Sequence, residues 1–269
     1  MRAIVLKFCA NISWLFTELP FLARADASRR AGFTAIEFHS TQGCSPSEIV
    51  ATARDAGVSI ALFNASPGDF LNGGAGLSGV PGRERQFAEI LERACDLGAS
   101  IGGAYVQIGQ SRVPAGVQRA ECLRVFVQNL RLAARVLGKV GCRPLVEPMN
   151  TTDAPGVLIR NACEAIAAID AAADPRIGLQ LDCYHEHTAG SDVRAAIERW
   201  GARIAHLQFS DAPGRHEPGS GAIEFASIWA QLAQMKFDRW IAAEYQPSGL
   251  TGDSLAWLSN LKRARDTDA

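Results

Sequence analysis

Four polar side chains each close a short apolar run: Glu147 after Leu145-Val146, Asp182 after Leu179-Gln180-Leu181, Gln208 after His206-Leu207, and Glu244 after Ala242-Ala243. One acid in such a place ordinarily caps the next helix or pairs with a base. Several together are different, because burying clustered like charges calls for a compensating cation or a shared proton. Two chemistries follow. Carboxylate and amide oxygens suit a hard divalent ion, Mg²⁺ or Mn²⁺. Two carboxyl groups flanking a small substrate suit proton transfer beside a carbonyl. One takes the proton from carbon, and the other acts on the oxygen or returns a proton to the next carbon. A metal polarising the oxygens would stabilise the enediolate between them.

The five histidines sort by position. His206 lies two residues before Gln208, so it shares that strand face and points inward, as a core histidine or a ligand. His185, one turn beyond Asp182, is the functional candidate of its segment; Glu186 and His187 read as solvated loop residues. His39 ends a strand, and only its position favours the site. The stretch 210–221 is rich in glycine and proline and carries Arg215 and His216. Arginine suits bidentate capture of a carboxylate or phosphate, although a plain surface arginine fits the loop equally well.

The elements that must hold these residues alternate along the chain. Strands are expected at 4–9, 35–38, 58–63, 104–108, 144–147, 177–182, 204–209 and 240–244. Helices are expected at 19–31, 45–56 with Ser45 as N-cap, 84–97, 117–137, 162–172, 192–200, 225–234 and 250–263. Eight such units, roughly thirty-odd residues each, argue for parallel βαβ packing. A closed (β/α)₈ TIM barrel, one domain over 1–269, fits better than an open doubly wound sheet, which would place a glycine-rich turn after its first strand. Here that turn reads Ala10-Asn11-Ile12-Ser13, and no organic cofactor is expected. Barrel chemistry sits at the C-terminal strand ends, so Glu147, Asp182, Gln208 and Glu244 fall on four consecutive strands around one side of the mouth. The Gly- and Pro-rich segment 64–83 is long enough to close as a lid.

Composition narrows the setting. With a net charge of −1 and mixed signs along the chain, no footprint for nucleic acid or an anionic membrane exists. No apolar run is long enough for a membrane span. The opening MRAIVLKFCANISW faintly resembles a signal peptide, but Lys7 and Asn11 interrupt it and it reads as the first strand. The seven cysteines are odd in number, scattered and without a CxxC pair, which points to free thiols in a reducing cytoplasm. The expected partner is a small hydroxy-oxo acid or sugar; a homo-oligomer is left open.

Segments 8–21 (FCANISWLFTELPF), 145–151 (LVEPMNT), 211–219 (DAPGRHEPG) and 244–247 (EYQP) resemble hydroxypyruvate isomerases, within the wider xylose-isomerase-like barrels. The resemblance spans nearly the whole chain. It implies interconversion of hydroxypyruvate and tartronate semialdehyde, or the same reaction on a 2-oxo-tetronate, with Glu147 and Glu244 as the acid/base pair. It further implies a divalent metal at Glu147, Asp182, Gln208 and Glu244, with His185 and Arg215 holding substrate oxygens beside His216. The chain departs from the family pattern at 38–44, 107–110 and 184–187, all on the substrate side. A ketose 3-epimerase would use the same two glutamates, and a barrel binding a sugar acid without turnover would keep the same pocket. A DNA-repair endonuclease on this fold would need more histidines and a basic face.

Overall fold

In a computed structural model of the chain, residues 6–267 are described, with side chains to 261. Eight strands follow one another in order: β1 (Lys7–Asn11), β2 (Ala35–Phe38), β3 (Ser59–Asn64), β4 (Tyr105–Gln107), β5 (Arg143–Val146), β6 (Gly178–Asp182), β7 (Ile204–Phe209) and β8 (Trp240–Ala243). Each pairs in parallel with the next, and β8 closes on β1. The expected (β/α)₈ barrel is therefore present. Residues 4 and 5 of the expected first strand lie outside the described residues; β1 instead runs on to Asn11.

The helices are α1 (Arg24–Ala31), α2 (Pro46–Ala56), α3 (Glu84–Ile101), α4 (Arg119–Gly138), α5 (Ala162–Ala172), α6 (Cys183–Thr188), α7 (Val193–Trp200), α8 (Phe225–Gln234) and α9 (Ala256–Thr267). Ser45 caps α2 as its sequence predicts: its Oγ accepts the Glu48 N–H while the Glu48 carboxylate accepts the Ser45 N–H. α4 buries Cys122, Val125, Phe126, Leu130, Ala133 and Leu137, a stripe at helical spacing that packs on the barrel.

Alternation along the strands separates two environments. Phe209 turns outward into an aromatic layer with Trp229 and Trp257, ring centroids 5.0 and 5.1 Å away. Its neighbour Gln208 turns into the bore. Small side chains, Cys9, Ala35, Ala61 and Ala242, cluster there apart from the main core. At Gly178 a Cβ would stand 2.5 Å from Ala205 Cβ and 2.8 Å from Leu145 Cδ2, so only glycine lets β5, β6 and β7 close this tightly.

One expectation needs correction. Residues 183–188 form helix α6 and not a solvated loop: the Asp182 carboxylate accepts the Tyr184 N–H at 2.9 Å and starts it. Glu186 is consequently buried and accepts the Ala162 N–H at the start of α5. The segment 64–83 is pinned along its length. Asp69 accepts from the Gly76 N–H and from Arg83, Gly76 bridges to Ser111, and Arg112 donates to the carbonyls of Phe70 and Gly74, each at 2.7 Å. All seven cysteines are free, and among the described residues no helix is long and apolar enough to cross a membrane.

Candidate active site

Glu147 directly follows β5 at the barrel mouth. Its Oε2 accepts from Gln107 Nε2 at 3.0 Å and Gln110 Nε2 at 2.7 Å. Gln107 is itself oriented, because its Oε1 accepts the Gly109 N–H at 2.8 Å. Glu244, directly after β8, is buried; its Oε1 faces His39 Nε2 at 2.5 Å and Asn11 Nδ2 at 3.2 Å. Its Oε2 accepts from Arg215 Nη2 at 2.9 Å, and the same nitrogen reaches Asp182 Oδ2 at 3.2 Å.

The loop after β7 delivers that arginine. Asp211 is fully buried and its carboxylate gathers the N–H groups of Ala212, Gly219 and Ile223. The Arg215 backbone adopts φ 58°, uncommon for a side-chain-bearing residue, and its carbonyl accepts the Gln246 N–H at 2.8 Å. The guanidinium lies between the rings of Trp14 and Tyr184, 5.0 Å from each centroid. His216 goes elsewhere: its Nδ1 donates to the Gln246 carbonyl at 2.7 Å, fastening the loop after β7 to the loop after β8.

Desolvation, with Asp182 and Glu244 buried and Glu147 partly so, combines with neighbouring charge to drive the proton affinities of the three acids apart. Burial pushes Glu147 well above the usual carboxylate range, and the nearby charges of Glu244 and Asp182 add to this. Burial would also raise Glu244, but Arg215 and His39 overcome it and hold the group at about 2. Asp182 is raised to about 7, chiefly by burial, with Arg215 opposing and Glu244 reinforcing. His185, buried beside them, falls to about 3 through burial and then the Arg215 charge. So the ring is neutral there.

Among the described residues, Glu147, Asp182 and His185 bring ligand atoms within 4.8 Å of one another. The carboxylate oxygens of Glu147 and Asp182 are hard donors that fit a divalent cation, and the His185 ring lies beside them. Gln208 is turned to the floor beneath. Its Oε1 accepts from Gln180 at 2.6 Å and its Nε2 donates to Glu37 Oε1 at 2.7 Å. Glu37 also accepts from Asn11 at 2.9 Å and faces His206 Nε2 at 2.5 Å. The inward direction expected for His206 is thus observed, with Glu37 as its partner.

Asn11, Glu37 and Asn150 are site or floor residues that the reading of the sequence missed; Gln107 and Gln110 lie in the stretch 107–110 that it placed on the substrate side without giving them a role. Asn11 obeys the same rule that found Glu147, a polar residue closing an apolar run. Glu37 carries no such signal: it stands inside Ala-Ile-Glu-Phe, and only barrel closure brings it under the mouth.

Residues 25–261 match the family described as xylose isomerase-like TIM barrel. The chain belongs to the xylose isomerase-like TIM-barrel family. Within it, the 2-oxo-tetronate isomerase of Cupriavidus necator is 33% identical over 94% of this chain and 97% of its own length. The putative hydroxypyruvate isomerase of Danio rerio is 36% identical over 97% of both chains. Among solved structures, an AP endonuclease, family 2, from Brucella melitensis superposes with a TM-score of 0.88 at 30% identity, covering 95% of this chain and 99% of that one.

Proposed function

We propose that this chain is an isomerase of a small hydroxy-oxo acid, interconverting hydroxypyruvate and tartronate semialdehyde or rearranging a related 2-oxo-tetronate. The observation that carries this reading is the opposed ionisation of Glu147 and Glu244 in one crowded mouth. Groups pushed apart in this way divide into acid and base. Glu244, held ionised by Arg215 and His39, takes a proton from the hydroxymethyl carbon. Glu147, kept protonated by burial and by the other two acids, passes its proton to the carbonyl oxygen and takes one back from the hydroxyl that becomes the aldehyde, while Glu244 returns its proton, exchanged or not, to the former carbonyl carbon.

Arg215 is the cation at the mouth suited to the substrate carboxylate, which favours an acid over a neutral ketose. A ketose 3-epimerase would use the same two glutamates and leave that preference unexplained. Asp182 would hold a divalent cation, Mg²⁺ or Mn²⁺, with Glu147 joining it once it has given up its proton, beside the ring of strand ends that includes Gln208 and Glu244. When bound, such a cation supplies positive charge to the two vicinal substrate oxygens. His185 lies within reach of the same oxygens. The Brucella protein carries an endonuclease name, but here a net charge of −1 and five histidines offer neither a phosphate-binding face nor the ligands for several metals. The free cysteines support a reducing, cytoplasmic setting.

Proton NMR of the protein with hydroxypyruvate in D₂O, with Mg²⁺ or with chelator, tests the reading. Deuterated tartronate semialdehyde is the expected product. No turnover of hydroxypyruvate or of 2-oxo-tetronates by folded, Mg²⁺-supplied protein would sink it.

A further inference from the structure

Asn150 lies three residues beyond Glu147 and is buried, as is His185 beside it. The loop around Asn150 sets which end of its amide points where. Oδ1 accepts the Asp153 backbone N–H at 2.8 Å, and Nδ2 donates to the Asp153 carboxylate at 3.0 Å. Exchanging the two atoms would set a donor against a donor and an acceptor against an acceptor, so the amide fits only one way. The same Nδ2 lies 2.7 Å from His185 Nδ1. An amide NH₂ can only donate, so Nδ1 must present its lone pair, and the neutral ring carries its hydrogen on Nε2. Nε2 is the nitrogen turned into the site, 3.7 Å from Asp182 Oδ2.

We propose that Asn150 is a positioning residue that fixes His185 in the Nε2–H form, making His185 a hydrogen-bond donor to a substrate oxygen and excluding it from metal ligation. A ligating ring nitrogen must present a lone pair, and here the nitrogen facing the acids carries a hydrogen. A neutral donor aimed at the carbonyl oxygen gains strength as that oxygen gains charge on the way to the enediolate. The two acids of the Glu147–Asp182–His185 group thereby keep the cation, and the imidazole serves the substrate. Only the identity of the oxygen rests on the isomerase reading; the position of the hydrogen does not.

Long-range ¹H–¹⁵N correlation spectra of ¹⁵N-histidine-labelled protein test this, with His185 assigned by its loss in His185→Gln. The expected spectrum shows an unprotonated Nδ1 and a protonated Nε2, unchanged on saturation with Mg²⁺. Asn150→Asp replaces the donor with an acceptor of the same shape. It moves the hydrogen to Nδ1 and lowers kcat on hydroxypyruvate roughly 10–100-fold, with KM much less affected. A hydrogen on Nδ1 in the wild type, or loss of the Nε2 hydrogen when Mg²⁺ is added, would overturn the proposal even if the variant did not fold. The expected spectrum in a protein inactive on hydroxypyruvate would instead leave Asn150's role standing and discard the isomerase reading.

Discussion

Arg215 Nη2 lies 2.9 Å from Glu244 Oε2, and this contact sets the asymmetry of the mouth. Glu244 faces a guanidinium and an imidazole, whereas the hydrogen-bond partners of Glu147 are two neutral amides. The proton affinities of two glutamates in one ring are thereby displaced in opposite directions by their surroundings.

Removing the guanidinium should therefore shift the base. In Arg215→Gln the Glu244 carboxylate loses its closest cation, so its pKa rises, by about 1–3 units on the usual scale for such pairs. Because the base must be ionised, the acid limb of the kcat/KM profile moves to higher pH. Arg215→Lys restores the charge without the fork and should recover part of the shift. An acid limb identical to wild type in both variants would contradict this role for Arg215.

The two glutamates should separate in an exchange experiment. Glu244→Gln lacks the base and should lose both turnover and deuterium uptake into remaining substrate. Glu147→Gln keeps the base, so it should still wash deuterium into hydroxypyruvate while product formation falls roughly 10²–10⁴-fold. ¹H NMR of the substrate pool reads both; equal washout by the two variants would reverse or dissolve the assignment.

Asp182 offers a stability test. Its folded value of about 7 lies above the unfolded value of about 3.9, so the fold holds a proton that the unfolded chain has released. Stability from this source falls as pH rises from about 4 to about 7 and is constant beyond. Asp182→Asn cannot ionise, so its melting temperature should exceed that of wild type at pH 8 and approach it near pH 4. Mg²⁺ at pH 8 should stabilise wild type more than the variant. Thermal melts at the two pH values, with and without Mg²⁺, decide it.

Much of this was legible because barrel strands are short apolar runs, and a polar residue closing one is conspicuous; Glu147, Asp182 and Glu244 are visible that way. The ranges of α5, β7 and α8 also follow from the sequence pattern, since each has a clear period and a sharp end. Helix α6 was not legible: six residues with two histidines have little helical pattern, and the cap that starts it is a residue better noticed as an acid. Nor was the Asn150–His185 contact, which joins the loop after β5 to helix α6 across 35 residues and exists only once β5 and β6 pair.

The strap 64–83 should behave as a fixed wall. Arg112 holds it by two carbonyl bonds and stacks 3.9 Å over the Phe70 ring. Limited proteolysis should give the same pattern with and without substrate, and Arg112→Ala should open a cleavage site near the exposed Leu71. Substrate-dependent protection of wild type at Leu71 would restore the lid.

The floor beneath the acids carries a consequence for changing this enzyme. Glu37 is the common acceptor for side chains from β1 and β7, and Gln208 extends the chain of bonds to Gln180 on β6. The barrel is thus stitched across its bore at the level where other barrels stack hydrocarbon, and the stitches are interdependent. The floor has to be inherited whole, because losing Glu37 alone strands two buried donors, His206 Nε2 and Gln208 Nε2, at about 1–3 kcal/mol each.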